Sequence, residues 1–85
     1  MFTVYVLFSR QYHKTYTGFT SDLMARLKSH NELGTKDWAI RYRPWEVLIT
    51  EEYDNKKHAM QREKFLKSGV GREFIHSLIR KKYQD

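Results

Sequence analysis

The sequence predicts an α+β domain: a small three-stranded antiparallel sheet flanked by helices in the order ββαβαα, with residues 1–85 as one domain. Three observations carry this. Two β-branched and aromatic runs open the chain, a third follows its only proline, and the later apolar residues recur at helical spacing. A chain of 85 residues has no room for a second core, and its own must be thin and well packed.

Residues 2–8 (FTVYVLF) form a strand with both faces at least partly covered, because no polar residue but Thr3 interrupts them. Residues 9–14 are polar and residues 15–19 again strand-like, which makes a hairpin with a longish loop. Gly18 inside the second strand marks a bulge or a close backbone approach. Thr20 and Ser21 are the candidate caps of a first helix, and Asp22 puts a negative charge in its first turn. That helix runs to about residue 31 with Leu23 and Leu27 inward, and Gly34 stands past its end. Residues 36–43 (KDWAIRYR) are a basic and aromatic loop closed by Pro44. Residues 45–53 read as the third strand, with Val47 and Ile49 on one face and Leu48 on the other. Asp54 or Asn55 caps a second helix that continues to about residue 68. Gly69-Val70-Gly71 breaks the chain, and Phe74, Ile75, Leu78 and Ile79 mark the buried stripe of a third helix.

Sixteen Lys and Arg against ten Asp and Glu give a net charge of +6, the footprint of a protein that meets a polyanion: nucleic acid, anionic lipid or an acidic protein. The basic residues are spread along the chain, so folding must gather them into a face. The absence of cysteine excludes a disulfide scaffold, thiolate metal sites and a thiol nucleophile. Nothing approaches the ~20 apolar residues of a membrane span. Residues 1–8 lack a basic flank and a small-residue cleavage site, so a cytoplasmic protein without a membrane partner is expected.

Glu63 is the most informative polar residue. At ~100° per residue, Ala59, Glu63 and Leu66 share one stripe of the second helix, which puts a carboxylate on the face that should meet the core. A charge there needs a partner. That partner is either an arginine in a structural ion pair or a Mg²⁺ ion that keeps most of its water and borrows phosphate oxygens from a substrate. Arg26 and His30, four apart, share a helix face, where the guanidinium suits bidentate phosphate binding; such a pair can equally be a solvated face. The hydroxyls of Tyr5 and Tyr16 sit in otherwise apolar strands, as core rings reaching a neighbour or as site groups. No nucleophile–His–acid spacing, Gly-rich phosphate loop or paired His/carboxylate motif is present.

Val4-Tyr5-Val6, followed eleven residues later by Tyr16-Thr17-Gly18, resembles in relaxed form the signature of the GIY-YIG nuclease superfamily. The resemblance continues through Arg26 and His30, Pro44-Trp45 at the third strand, residues 59–69 (AMQREKFLKSG) and Gly71-Arg72, and is greatest to short single-domain bacterial (UPF0213-like) members. It implies a Mg²⁺-dependent (or Mn²⁺-dependent) endonuclease that hydrolyses phosphodiester bonds, in DNA rather than RNA, directed by structure rather than sequence. It implies that Tyr5 and Tyr16 bracket the attacking water and the scissile phosphate, that Arg26 stabilises the phosphorane, that His30 positions water, tyrosine or phosphate, and that Glu63 holds the single metal ion.

The sequence departs from the family pattern in three places. Thr3 replaces the first glycine, Thr17 replaces an isoleucine, and an asparagine expected on the last helix has only His76 or Ser77 as stand-ins. Without an appended DNA-reading domain, specificity would come from a second copy or a partner protein. The nucleic-acid-binding residues are Lys36, Trp38, Arg41, Tyr42 and Arg43 in the basic and aromatic loop, with Lys67 and Arg72; Trp38 and Tyr42 either stack on bases or cap the core. Two other functions fit the composition: a catalytically inactive nucleic-acid-binding module of the same fold, and an adaptor for an acidic protein.

Overall fold

Strand β1 (Phe2–Ser9) is the middle of a three-stranded antiparallel sheet in the order β2-β1-β3, with β2 (Lys14–Thr20) and β3 (Glu46–Tyr53) on its two sides. The computed structural model describes residues 1–28 and 41–83, and within them the order is β1, β2, α1 (Leu23–Lys28), β3, α2 (Lys56–Leu66) and α3 (Gly69–Tyr83). The α+β class and the ββαβαα order read from the sequence are those of the described residues. No helix among the described residues is long and apolar enough to cross a membrane.

The central strand explains the layering. From Val4 to Ser9 every residue is buried, so β1 is covered on both faces. Val4, Val6 and Phe8 pack on one side against Leu48, Ala59 and Leu66 of β3 and α2 and against Ile75 and Ile79 of α3. Tyr5 and Leu7 pack on the other side with Trp45, flanked by Tyr16, Leu23 and Leu27. Full burial of each such aliphatic side chain contributes about 1.5–3 kcal/mol, so a thin sheet with two covered faces supports this short chain.

Several local expectations are corrected. Asp22, not Thr20 or Ser21, caps α1: its carboxylate accepts from the Ala25 amide at 3.1 Å, while the Thr20 hydroxyl accepts from the Asp22 amide at 3.0 Å. The alternation expected along β3 fails because Val6 faces Ile49 but Leu7 faces Val47, leaving Leu48 as an extra residue. That β-bulge turns both Leu48 and Ile49 toward the helices and Val47 to the opposite face. The glycine pair does not break the chain. Lys67 and Ser68 do, and Gly69–Gly71 is already helix. Phe74, expected in the buried stripe, is 38% exposed and lies under the Arg62 guanidinium at 5.5 Å. Asn55 caps α2 as read, accepting from the His58 amide at 2.9 Å.

Candidate active site

Gly18 sets the site. It pairs with Tyr5 across the β1–β2 ladder, and a Cβ on it would lie 2.6 Å from the Tyr5 hydroxyl and 3.3 Å from Tyr16 Cε1. The glycine therefore lets the Tyr5 ring lie flat over the neighbouring strand, where it stacks with Tyr16 at 6.3 Å and 16° between planes. Of the two readings open at Gly18, close approach is correct, since the β1–β2 register passes through it without interruption. Trp45 closes the far side of Tyr16, edge-on at 6.4 Å.

The two tyrosines open into a cleft of about 430 Å³ whose wall also holds Arg26 of α1 and Glu63 and Lys56 of α2. Its rim is the Thr20-Ser21 turn, with Phe2 and Phe19 as apolar edges. Four of the five residues expected to act together thus line one cleft. His30 lies outside the described residues. Lys56 lines the cleft although it is not among the expected residues; the signal for it is that it stands seven residues before Glu63, two helical turns along the same face.

Glu63 occupies the half-buried edge of the α2 stripe, beside the fully buried Ala59 and Leu66. Its carboxylate meets the Lys67 ammonium at 3.6 Å, with the lysine side chain 55% exposed. An exposed i,i+4 pair of this kind is worth only a few tenths of a kcal/mol, so it leaves the carboxylate available to a stronger partner. The arginine on that helix is occupied elsewhere: Arg62 makes a two-pronged ion pair with Glu51, at 2.8 and 3.1 Å, and its charge is further stabilised by that pairing. The Arg–Glu63 ion pair weighed above does not form among the described residues.

Burial pushes the Tyr5 hydroxyl up to about 12, helped by Tyr16, opposed by the Arg26 charge, and helped again by Glu63. Tyr5 is therefore a neutral phenol at physiological pH, able to donate and accept a hydrogen bond but not to serve unaided as a base. The donor set around Glu63 can be tested against a metal ion. No group of three or more His, Cys, Asp or Glu gathers among the described residues, which does not suit zinc or a caged calcium. One carboxylate in an open cleft with basic side chains does suit Mg²⁺, which keeps several waters and completes its shell with substrate phosphate oxygens.

The binding loop is reached only in part. Lys36 and Trp38 lie outside the described residues. Tyr42 packs at the edge of the Tyr5–Leu7–Trp45 cluster, edge-on to Tyr12 at 5.5 Å, which is the core-capping alternative. Arg41 is exposed and Arg43 half-buried. Lys67 faces Glu63, and Arg72 is exposed on α3. Neither stand-in for the asparagine reaches the cleft: Ser77 hydrogen-bonds the Phe74 carbonyl at 2.6 Å and lines a different recess, and the exposed His76 is not in the cleft wall. Thr3, where the pattern has glycine, donates to the Glu52 carboxylate on β3.

Residues 1–74 match the family model described as the GIY-YIG catalytic domain. The chain is 42% identical over 53 residues to UPF0213 protein YazA of Bacillus subtilis, a match covering 61% of this chain and 52% of that protein. It is 40% identical over 48 residues to a UPF0213 protein of Bacillus velezensis, covering 56% of this chain and 48% of the relative. The matches thus span about half the length of these curated relatives. The solution NMR structure of a UPF0213 protein from Bacillus halodurans superposes with a TM-score of 0.54 at 28% identity, covering 92% of this chain and 85% of that one.

Proposed function

The chain belongs to the GIY-YIG catalytic-domain family, and from that premise we propose that it is a Mg²⁺-dependent endonuclease hydrolysing phosphodiester bonds in DNA, directed by DNA structure rather than sequence. The observation that carries this reading is the single cleft lined by Tyr5, Tyr16, Arg26, Lys56 and Glu63. Outside a phosphate-processing site, a small domain has little reason to collect two stacked phenols, two cations and one carboxylate around an open space. In hydrolysis the oxygen of water bonds to phosphorus, the bond to the 3′ oxygen breaks, and the proton released by water is balanced by one taken up by the leaving oxygen.

Within this reading each residue of the cleft takes a role that its position supports. Arg26 and Lys56 draw the phosphodiester into the cleft, and Arg26 stabilises the charge that builds on the phosphoryl oxygens. Tyr5, held neutral and fixed by Gly18 and Tyr16, positions the attacking water through its hydroxyl. Glu63 would hold the Mg²⁺ ion, which when bound supplies charge to the leaving 3′ oxygen. Tyr16 completes the wall beside the water. Incubating the protein with labelled branched, nicked, single-stranded and duplex DNA, with Mg²⁺ and then with chelator, tests the reading. It expects metal-dependent products that are most abundant on one of the structured substrates. No cleavage of any substrate would refute it.

A further inference from the structure

A second recess, of about 880 Å³, lies at the closed end of the β1–β2 hairpin, between the turn and the last helix. Phe8, Tyr83 and His13 give it an aromatic floor, with Phe8 packed 5.2 Å from Tyr83 and 5.4 Å from His13. Arg10, Arg80 and Lys81 stand around it. Tyr83 is fixed as part of the structure, hydrogen-bonded to Glu46 and covered by Arg10 at 5.0 Å. Lys82 is held to the Val47 carbonyl at 3.1 Å. Glu46 is 4.0 Å from Arg10 and offsets one of these charges. Arg80 and Lys81 are exposed, and neither is in an ion pair among the described residues. None of these groups lines the proposed catalytic cleft.

We propose that this recess is a second nucleic-acid contact, in which Arg10, Arg80 and Lys81 grip backbone phosphates of the same substrate at a distance from the scissile bond. The proposal rests on the nuclease reading above and adds to it a length requirement. Phe8 packs on the same side of the sheet as Phe2 and Phe19 at the cleft mouth, whereas Tyr5 and Tyr16 face the other side, so a bound strand that meets both places runs along the edge strand β2. Tyr5 and Arg10 are five residues apart in nearly extended chain, which at ~3.3 Å per residue separates the sites by roughly 17 Å. At 3.4 Å of helix axis per base pair this is about five base pairs. The recess suits a phosphate backbone because its cations exceed its one carboxylate, and the long basic side chains can follow a strand across an apolar floor.

The test measures binding of wild-type protein and the R80A/K81A variant to duplexes that extend either three or twelve base pairs beyond a nick, without divalent metal, across a salt series. Both residues are exposed on the last turns of α3, and thermal unfolding of the variant should match wild type. On the long duplex, the variant should lose about 1.8 from the log–log salt slope and bind roughly tenfold more weakly at 0.1 M salt. On the short duplex, wild type and variant should bind alike. Equal slopes on the long duplex would overturn the second contact while leaving the cleft reading intact, as would an equal loss on both lengths. Absence of DNA binding by the wild type would overturn both readings, and salt-sensitive binding to polyglutamate alone would assign the recess to an acidic protein. R80E/K81E provides a second variant, expected to exaggerate the loss on the long duplex only.

Discussion

A tyrosine hydroxyl that titrates near 12 constrains what Tyr5 can do. Its folded value lies above the unfolded value near ~10, so the native state holds the proton more tightly. The stability this contributes is complete below pH ~10 and is lost as pH rises through about 12. Denaturant unfolding of wild type should therefore weaken over that interval more than unfolding of Tyr5→Phe. Cleavage should show no inflection attributable to Tyr5 ionisation below pH ~10. Gly18 controls the same ring. Gly18→Ala should cost about 1–3 kcal/mol, because the new methyl meets a ring end that is itself fully buried. Adding Tyr5→Phe removes the atom at 2.6 Å but keeps the ring carbon Cζ at 2.9 Å, so it relieves the clash in part, and the double variant should be more stable than the two single effects predict by about 0.5 kcal/mol. Strict additivity in that cycle would show that the hydroxyl is not what the glycine accommodates.

Helices α2 and α3 meet at an elbow with no space for a side chain. A Cβ on Gly71 would lie 2.2 Å from the Phe65 carbonyl oxygen and 2.5 Å from Leu66 Cα, both backbone atoms, whereas one on Gly69 would meet nothing within 4 Å. Gly71→Ala should therefore destabilise by roughly 3 kcal/mol and move α2, and Glu63 with it. Gly69→Ala should stabilise by about 0.4–1 kcal/mol through the unfolded chain. Urea unfolding of the pair checks both signs. The same elbow shows what the sequence could and could not tell. The strands, their place along the chain and the Ala59–Glu63–Leu66 stripe were legible because β-branched and aromatic runs and a period-3.6 pattern report burial directly. The glycines were misread as a breaker because a close helix–helix approach leaves no local mark distinguishing it from a turn. Leu48 was assigned to the wrong company because a bulge is a property of pairing between strands, not of one strand. Of the cleft lining, Tyr5, Tyr16 and Glu63 stand out in the sequence as polar groups among apolar ones and Arg26 by the helix face it shares with His30, while Lys56 is hidden among the chain's many other cations.

Across the whole molecule, five of the sixteen basic residues line two recesses beside a central strand buried on both faces. One is the cleft, where Arg26 and Lys56 face the carboxylate of Glu63; the other is the hairpin end, where Arg10, Arg80 and Lys81 surround an aromatic floor. Binding of any nucleic acid should fall steeply with salt, since each phosphate contact contributes about 0.9 to the slope on duplex DNA. Affinity and cleavage are separable because one negative group sits among the cations of the cleft. Removing the Glu63 charge should abolish metal-dependent turnover while leaving DNA affinity equal or higher, because the same carboxylate that would hold the ion repels phosphate in its absence. The measurement that tests this most directly compares wild type and Glu63→Gln on one labelled nicked or branched DNA, following binding without metal and strand cleavage with Mg²⁺. Binding should be undiminished and cleavage should fall at least a hundredfold, about 2.7 kcal/mol of transition-state stabilisation; equal cleavage by the two proteins would show that Glu63 does not hold the metal ion.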